Sequence, residues 1–314
     1  TVSVVMPSYN HESYLREAIE SVINQSFGDL ELIIVDDASV DNSRKIIEEY
    51  AARDNRVKCI FHERNQGIAR TVNDAINACN GKFIAFTASD DIWNLDKLKI
   101  QMEVLTKNED LVVWSDGEVI DENGKPTGKH WADIYGIRKR QKSGMILDDL
   151  LAGNYIFGTT RILKRANMEG TLFDESLKYN DDYQFEIALA SRYQYHYIDR
   201  SLAKYRIHPF STIFSGSKEI YKESIELQLG FLRRYGDVMS RRTKSKIFSN
   251  IGKCYWIIEG RESSRRWYCE AIRLNPLDPG NYIGILLPEK GFLRMFLGVM
   301  NERVIKAIGI LGTD

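Results

Sequence analysis

The sequence predicts an α/β fold: a mostly parallel sheet flanked by helices, followed by a helical C-terminal region. Three observations predict it. Short apolar strands alternate with amphipathic helices from Val2 to Phe86, which is the pattern of βαβ units. The strand ends carry polar groups, at Pro7–Asn10, Asp36–Ser39 and Asp90-Asp91, and ligands of parallel sheets sit beyond such ends. From about Gly216 strand signals fade and helical periodicity takes over.

Val2–Met6 is the first strand. Tyr14 to Ile23 sets Leu15, Ala18, Ile19, Val22 and Ile23 on one helical face. Leu30–Val35 is the second strand, and Asn42-Ser43 caps a helix bearing Ile46, Ile47 and Tyr50. Val57–Phe61 is a strand, Ile68–Ala78 a helix, and Lys82–Phe86 a fourth strand entered from Gly81. Leu95–Thr106 reads as a helix, Leu111–Trp114 as a strand, and Glu122-Asn123-Gly124-Lys125 as a hairpin turn. Gly136–Ser143 is a basic loop, read as a solvated surface run. Met145–Ala152 and Asp181–Ser191 are helices; Ile156–Ile162, Tyr195–Ile198 and Leu202–Arg206 are strands. Glu219–Tyr235, Arg242–Glu259 and Ser263–Asn275 are amphipathic helices, and Gly260–Pro276 looks like one tetratricopeptide-type unit. Phe292–Ile310, apolar with scattered bases, is read as a last packed helix, with contact to a membrane surface as its alternative.

At 314 residues the chain can bury a large core, and 43% hydrophobic with 28% charged residues excludes a disordered or collagen-like chain. A net charge of -1 gives no global attraction to nucleic acid. No apolar run approaches the ~20 residues of a membrane span. The chain opens on an apolar strand without a charged n-region or cleavage site, so no secretory signal is expected. Cys59, Cys79, Cys254 and Cys269 form no CxxC pair and suggest reduced thiols. Together these place the protein in the cytoplasm. There is no GxGxxG after a strand and no GxxxxGK[ST], which disfavours a dehydrogenase and a P-loop NTPase.

Asp90 and Asp91 stand side by side where the fourth strand ends. Two adjacent carboxylates repel and want a cation; the plain alternative is that Asp90 caps the next helix. The pair belongs to a series: Val4-Val5-Met6-Pro7-Ser8-Tyr9-Asn10, Ile33-Ile34-Val35-Asp36-Asp37-Ala38-Ser39, Asn65-Gln66-Gly67, Thr87-Ala88-Ser89-Asp90-Asp91-Ile92-Trp93, Asn180-Asp181-Asp182-Tyr183 and Tyr205-Arg206-Ile207-His208. In order and spacing this series resembles the family 2 glycosyltransferases with the GT-A fold, from Val2 to about His208.

The resemblance implies an inverting glycosyltransferase that uses a nucleotide sugar, of the UDP class, and Mn²⁺ or Mg²⁺. It implies that Pro7, Tyr9 and Asn10 line the base and ribose, and that Asp37 accepts from the base imide N–H, with Asp36 structural. Asn65 and Gly67 match a loop that lets the backbone approach the nucleotide, and Arg70 departs from the small residue usual there. Asp91 is expected to hold the metal and Asp90 to face the ribose or donor sugar, with His208 near the metal and diphosphate. Asp182 matches the catalytic base that takes the acceptor hydroxyl's proton. The implied acceptor is a glycan or lipid-linked glycan of bacterial surface polysaccharide, which brings the protein to the inner face of the cell membrane through its helical C-terminal region. Expected domains are 1–212, with a nucleotide-sugar half at 1–116 and an acceptor half at 117–212, and a helical region at 213–314. An alternative is a catalytically inactive relative that binds nucleotide sugar or a partner protein, favoured only by Ala88 and Asp181, which replace the commoner Asp and Glu.

Overall fold

The computed structural model describes residues 1–134, 136, 143–209 and 218–286. The basic run 137–142 and the apolar stretch 292–310 lie outside the described residues. Two compact units emerge: Thr1–Ile146 with Tyr155–His208, and Leu147–Asn154 with Pro209–Asp314.

The first unit opens with alternating strands and helices: β1 (Val2–Ser8), α1 (Glu12–Ile23), β2 (Leu30–Asp36), α2 (Ser43–Arg53), β3 (Val57–Phe61), α3 (Ile68–Asn77) and β4 (Phe83–Phe86). These strands pair in parallel in the order β3-β2-β1-β4, with Ser8 opposite Asp36 and Val5 opposite Phe86. β2 is buried along its whole length, as expected of a strand covered on both faces. Leu15, Ala18, Ile19 and Val22 form the buried face of α1. At α2 the Asn42 side chain makes no cap; Asp41 accepts from the Ser43 N–H at 2.9 Å, and Asn42 Nδ2 donates to Glu12 instead.

Beyond β4 the pairing becomes mixed. β5 (Ile92–Trp93), α4 (Lys97–Leu105), β6 (Val112–Ile120), β7 (Pro126–His130) and α5 (Trp131–Ile134) are followed later in the chain by β8 (Ile162–Lys164), α7 (Asp181–Ala190) and β9 (Tyr195–Arg206); α6 (Leu147–Leu151) belongs to the second unit. The sheet continues β4-β8-β6-β9-β5, with β7 on β6. Helix α4 starts at Lys97 behind Asp96, and β5 intervenes, so Asp90 caps no helix. Two expected strands, Tyr195–Ile198 and Leu202–Arg206, are one strand, β9, whose register against β6 shifts around Asp116. The apolar run at Ile156 is not a strand: it leads into a 3-10 turn at Gly158–Thr160, and only Ile162–Lys164 pairs.

In the second unit, α6 packs with α9 (Arg241–Glu259), which also packs with α8 (Lys218–Tyr235), α10 (Arg261–Leu274) and α11 (Gly280–Leu286). Ser240 caps α9 by accepting from the Thr243 N–H at 3.1 Å, an arrangement worth about 1 kcal/mol. The Ser240 N–H and the Thr243 hydroxyl both donate to Asp148 of α6. Asn281 Nδ2 donates to Ser245 Oγ and to the Asn275 carbonyl, tying α11 to α9 and α10.

Candidate active site

In the order β3-β2-β1-β4 the chain steps outward from β1 and then returns to its other side, so a switch point falls between β1 and β4. A crevice opens beyond the strands at such a point. His11 follows β1 there, Ser89 and Asp90 follow β4, and His208 arrives from the end of β9. His208 Nε2 lies 3.0 Å from Asp90 Oδ2, and His11 Nδ1 lies 2.7 Å from Ser89 Oγ. One ligand atom each from His11, Asp90 and His208 lie within 4.8 Å of one another. Two imidazoles and a carboxylate at this spacing fit a divalent cation, and Ser89 fixes the His11 ring in the way outer-shell partners do. His11 is the residue sequence reasoning missed; its only signal was its place directly after β1.

Asp91 turns the other way. It is 2% exposed, its Oδ2 accepts from the Thr159 hydroxyl at 2.5 Å, and its Oδ1 accepts from the Arg206 N–H at 3.0 Å. Burial, reinforced by the charge of Asp90, pushes the Asp91 carboxyl up. Asp90 is also enclosed, but the His208 hydrogen bond and the charges of the two histidines outweigh burial and hold its carboxyl below the usual range. Asp90 thus meets His208, and Asp91 meets Thr159 and the Arg206 backbone.

Arg206 holds this arrangement from behind. Its guanidinium is 2% exposed and donates to the Asp90 and Glu122 carbonyls and to Glu17 Oε2 at 2.6 Å, while lying over the Tyr14 ring. One cation thus joins α1, the β4 end and the β6–β7 turn.

The residues expected around the nucleotide fall at the β1 and β2 ends. Tyr9 is 45% exposed, and Pro7 is half-buried opposite Val35. Asn10 adopts a φ of 52°; its N–H donates to Ser39 Oγ and its Oδ1 accepts from the Val40 N–H. A left-handed non-glycine residue costs about 1–3 kcal/mol and persists where the surroundings over-determine it. Asp36 is structural, bonded to Ser39 and Ser8. Asp37 Oδ1 accepts from the Gln66 N–H at 2.7 Å and lies 2.8 Å from His62 Nδ1, and its Oδ2 accepts from the Gly67 N–H at 2.9 Å. Gly67, at φ 89°, permits the turn into α3 that brings these amides to Asp37. Arg64, Asn65, Gln66, Arg70 and Glu175 line a cavity of about 410 Å³ beside this loop.

Asp182 sits in the first turn of α7 and is exposed to water. The Tyr183 N–H donates to its Oδ1 at 2.6 Å. Desolvation by the protein packed around its carboxyl pushes it up to about 6, opposed by the Tyr183 N–H and Arg161 and aided by the charge of Glu186. A buried pair, Arg161 with Glu186, secures α7; Tyr195 donates to Glu186 at 2.6 Å, and the Arg161 guanidinium lies over Phe86 and Phe185. Breaking such a pair costs about 3–5 kcal/mol, so α7 is held firmly to the end of β4.

The parallel half-sheet continued by mixed strands and flanked by helices is similar to GT-A glycosyltransferase structures. A TarS fragment, residues 1–349, from S. aureus, solved in complex with UDP-GlcNAc, superposes with a TM-score of 0.63 at 18% identity, over 98% of this chain and 89% of that one. The mannosyltransferase PcManGT of Pyrobaculum calidifontis, in complex with GDP-Man and Mn²⁺, gives 0.52 at 14% identity, over 98% of this chain and 85% of that one. Residues 3–169 match the family described as glycosyl transferase family 2. The glycosyltransferase MJ1057 of Methanocaldococcus jannaschii is 35% identical over 66% of this chain and 70% of its own. The Escherichia coli β-1,3-glucosyltransferase WfgD, named for UDP-Glc and a GlcNAc-diphosphoundecaprenol acceptor, is 38% identical over 39% of this chain and 47% of its own. The chain belongs to glycosyl transferase family 2, and it is a glycosyltransferase. Among the described residues no helix is long and apolar enough to cross a membrane.

Proposed function

We propose that the chain is an inverting, divalent-cation-dependent glycosyltransferase that moves a sugar from a nucleotide sugar of the UDP class to a hydroxyl of a glycan or lipid-linked glycan, in surface polysaccharide assembly. The observation that carries this reading is the cluster of His11, Asp90 and His208 at the switch point. Those three residues would hold Mn²⁺ or Mg²⁺, with Asp90 taking the place expected for Asp91. The bound ion would neutralise charge gathering on the departing nucleoside diphosphate. Asp182 accepts the acceptor hydroxyl's proton as that oxygen attacks the anomeric carbon; the glycosidic bond forms as the bond to the diphosphate breaks, with inversion. Tyr9, Pro7 and the 65–67 loop hold the nucleoside end. Arg206 and Thr159 keep Asp90 and Asp91 in their separate orientations. The acceptor class is supported by WfgD, whose printed acceptor is lipid-linked.

The test is release of UDP from UDP-sugars in the presence of Mn²⁺, with Asp182→Asn as the control. Turnover that needs Mn²⁺ and disappears in the variant is the expected result. Undiminished turnover in Asp182→Asn, or no nucleotide release from any sugar nucleotide, overturns the reading.

A further inference from the structure

A second polar network runs outward from the donor loop, and the chemistry above leaves it without a role. His62 follows β3 with its side chain 6% exposed. Each ring nitrogen meets a carboxylate: Nδ1 lies 2.8 Å from Asp37 Oδ1, and Nε2 lies 3.2 Å from Asp74 Oδ2. Asp74 also accepts from Arg70 Nε at 2.9 Å, and Arg70 Nη1 lies 3.5 Å from Glu175. Asn73, beside Asp74 on α3, donates to Glu175 at 3.0 Å and exchanges hydrogen bonds with the Phe173 backbone. Phe173 stacks on Phe185 of α7 at 4.2 Å between centroids.

This places one imidazole at a joint. On one side is the carboxylate that gathers the Gln66 and Gly67 amides; on the other is the ion-paired wall of the cavity beside that loop. The two amides bond to different oxygens of Asp37 and set the plane of its carboxylate. The His62 ring, which also meets Asp74, adds a third side-chain contact on Oδ1 that ties this carboxylate to α3. We infer that His62 is a positioning residue that presets Asp37 and the 65–67 loop for the nucleoside end of the donor. The inference rests on the site being a nucleotide-sugar site for its consequence, and on the loop geometry for its substance.

Two substitutions separate position from bulk. The amide nitrogen of Asn sits near where the histidine Nδ1 sits, so His62→Asn keeps the bond to Asp37 and drops the one to Asp74. The amide nitrogen of Gln reaches towards the place of Nε2, so His62→Gln does the reverse. In the full chain without nucleotide, hydrogen exchange at Gln66 and Gly67 should quicken about tenfold in His62→Gln and stay within about threefold of the wild type in His62→Asn. UDP affinity, measured calorimetrically with Mn²⁺, should fall about tenfold in the Gln variant and less than threefold in the Asn variant. Unchanged loop exchange in His62→Gln overturns the inference. So does an equal loss in both variants that follows an equal drop in melting temperature, because that marks a merely structural residue. If the wild type binds no UDP, the reading of the site fails, and the exchange data still decide the role of His62.

Discussion

His208 Nε2 lies 3.0 Å from Asp90 Oδ2, although 118 residues separate the two in the chain. Two residues before His208, the Arg206 N–H donates to Asp91. The end of β9 therefore touches both members of the aspartate pair and gives each a different neighbour. Identical side chains at adjacent positions acquire different partners.

That difference predicts how the two carboxylates respond to loss of charge. Asp90→Asn should weaken Mn²⁺ binding by at least about tenfold. Asp91→Asn should leave ion affinity within about threefold. It should change stability by less than about 1 kcal/mol, because the amide oxygen can still accept from the Arg206 N–H while the amide nitrogen donates to the Thr159 hydroxyl oxygen. Electron paramagnetic resonance of Mn²⁺ reports the first quantity and thermal melting the second. Equal Mn²⁺ losses in both variants would refute the assignment.

Removing the base leaves binding in place. Asp182→Asn should lower turnover about a thousandfold, with nucleotide affinity within a few-fold of the wild type. Single-turnover kinetics beside calorimetric titration separates the two effects.

The same residue sets a pH dependence. An unperturbed aspartate titrates near ~3.9, whereas the carboxyl of Asp182 is raised to about 6 by burial. The base works deprotonated, so kcat should be flat above that value and fall tenfold per pH unit below it. A limb near pH 4 in the kcat profile would show that burial does not act on Asp182 during turnover.

Gly117 tests the packing between β6 and the turn before β8. A Cβ there would meet the Phe157 ring at 2.3 Å and the Ala203 carbonyl at 3.1 Å. Phe157 is itself stacked on Trp131 and cannot retreat freely. Gly117→Ala should cost about 1–3 kcal/mol, seen as a fall of several degrees in melting temperature.

The elements from β1 to β4 were legible because their signals are local: Leu32–Val35 is unbroken apolar chain up to Asp36, and the α1 stripe keeps its period. The run Tyr155-Ile156-Phe157 misled because all three residues are buried without being a strand. Burial there comes from Trp114 and Trp131, which are distant in sequence. The site was legible as a set of strand ends. Which of Asp90 and Asp91 faces the crevice was not, since both lie in the loop after β4 and their partners, Thr159, Arg206 and His208, are distant in sequence. His11 was hidden among residues that read as an ordinary helix start, and its neighbours come from the ends of β4 and β9.

The helical unit is discontinuous, since Leu147–Asn154 joins a body otherwise formed after Pro209. Leu150 and Leu151 are buried at 0% and 1% exposure, and Asp148 receives its bonds from the start of α9. A single cut cannot separate the two units. A truncation after His208 keeps His11, Asp90, Asp182 and His208 but takes from the short helix at Leu147–Leu151 the α9 start that bonds to Asp148. A soluble catalytic fragment would need that loop rewritten as well as the tail removed.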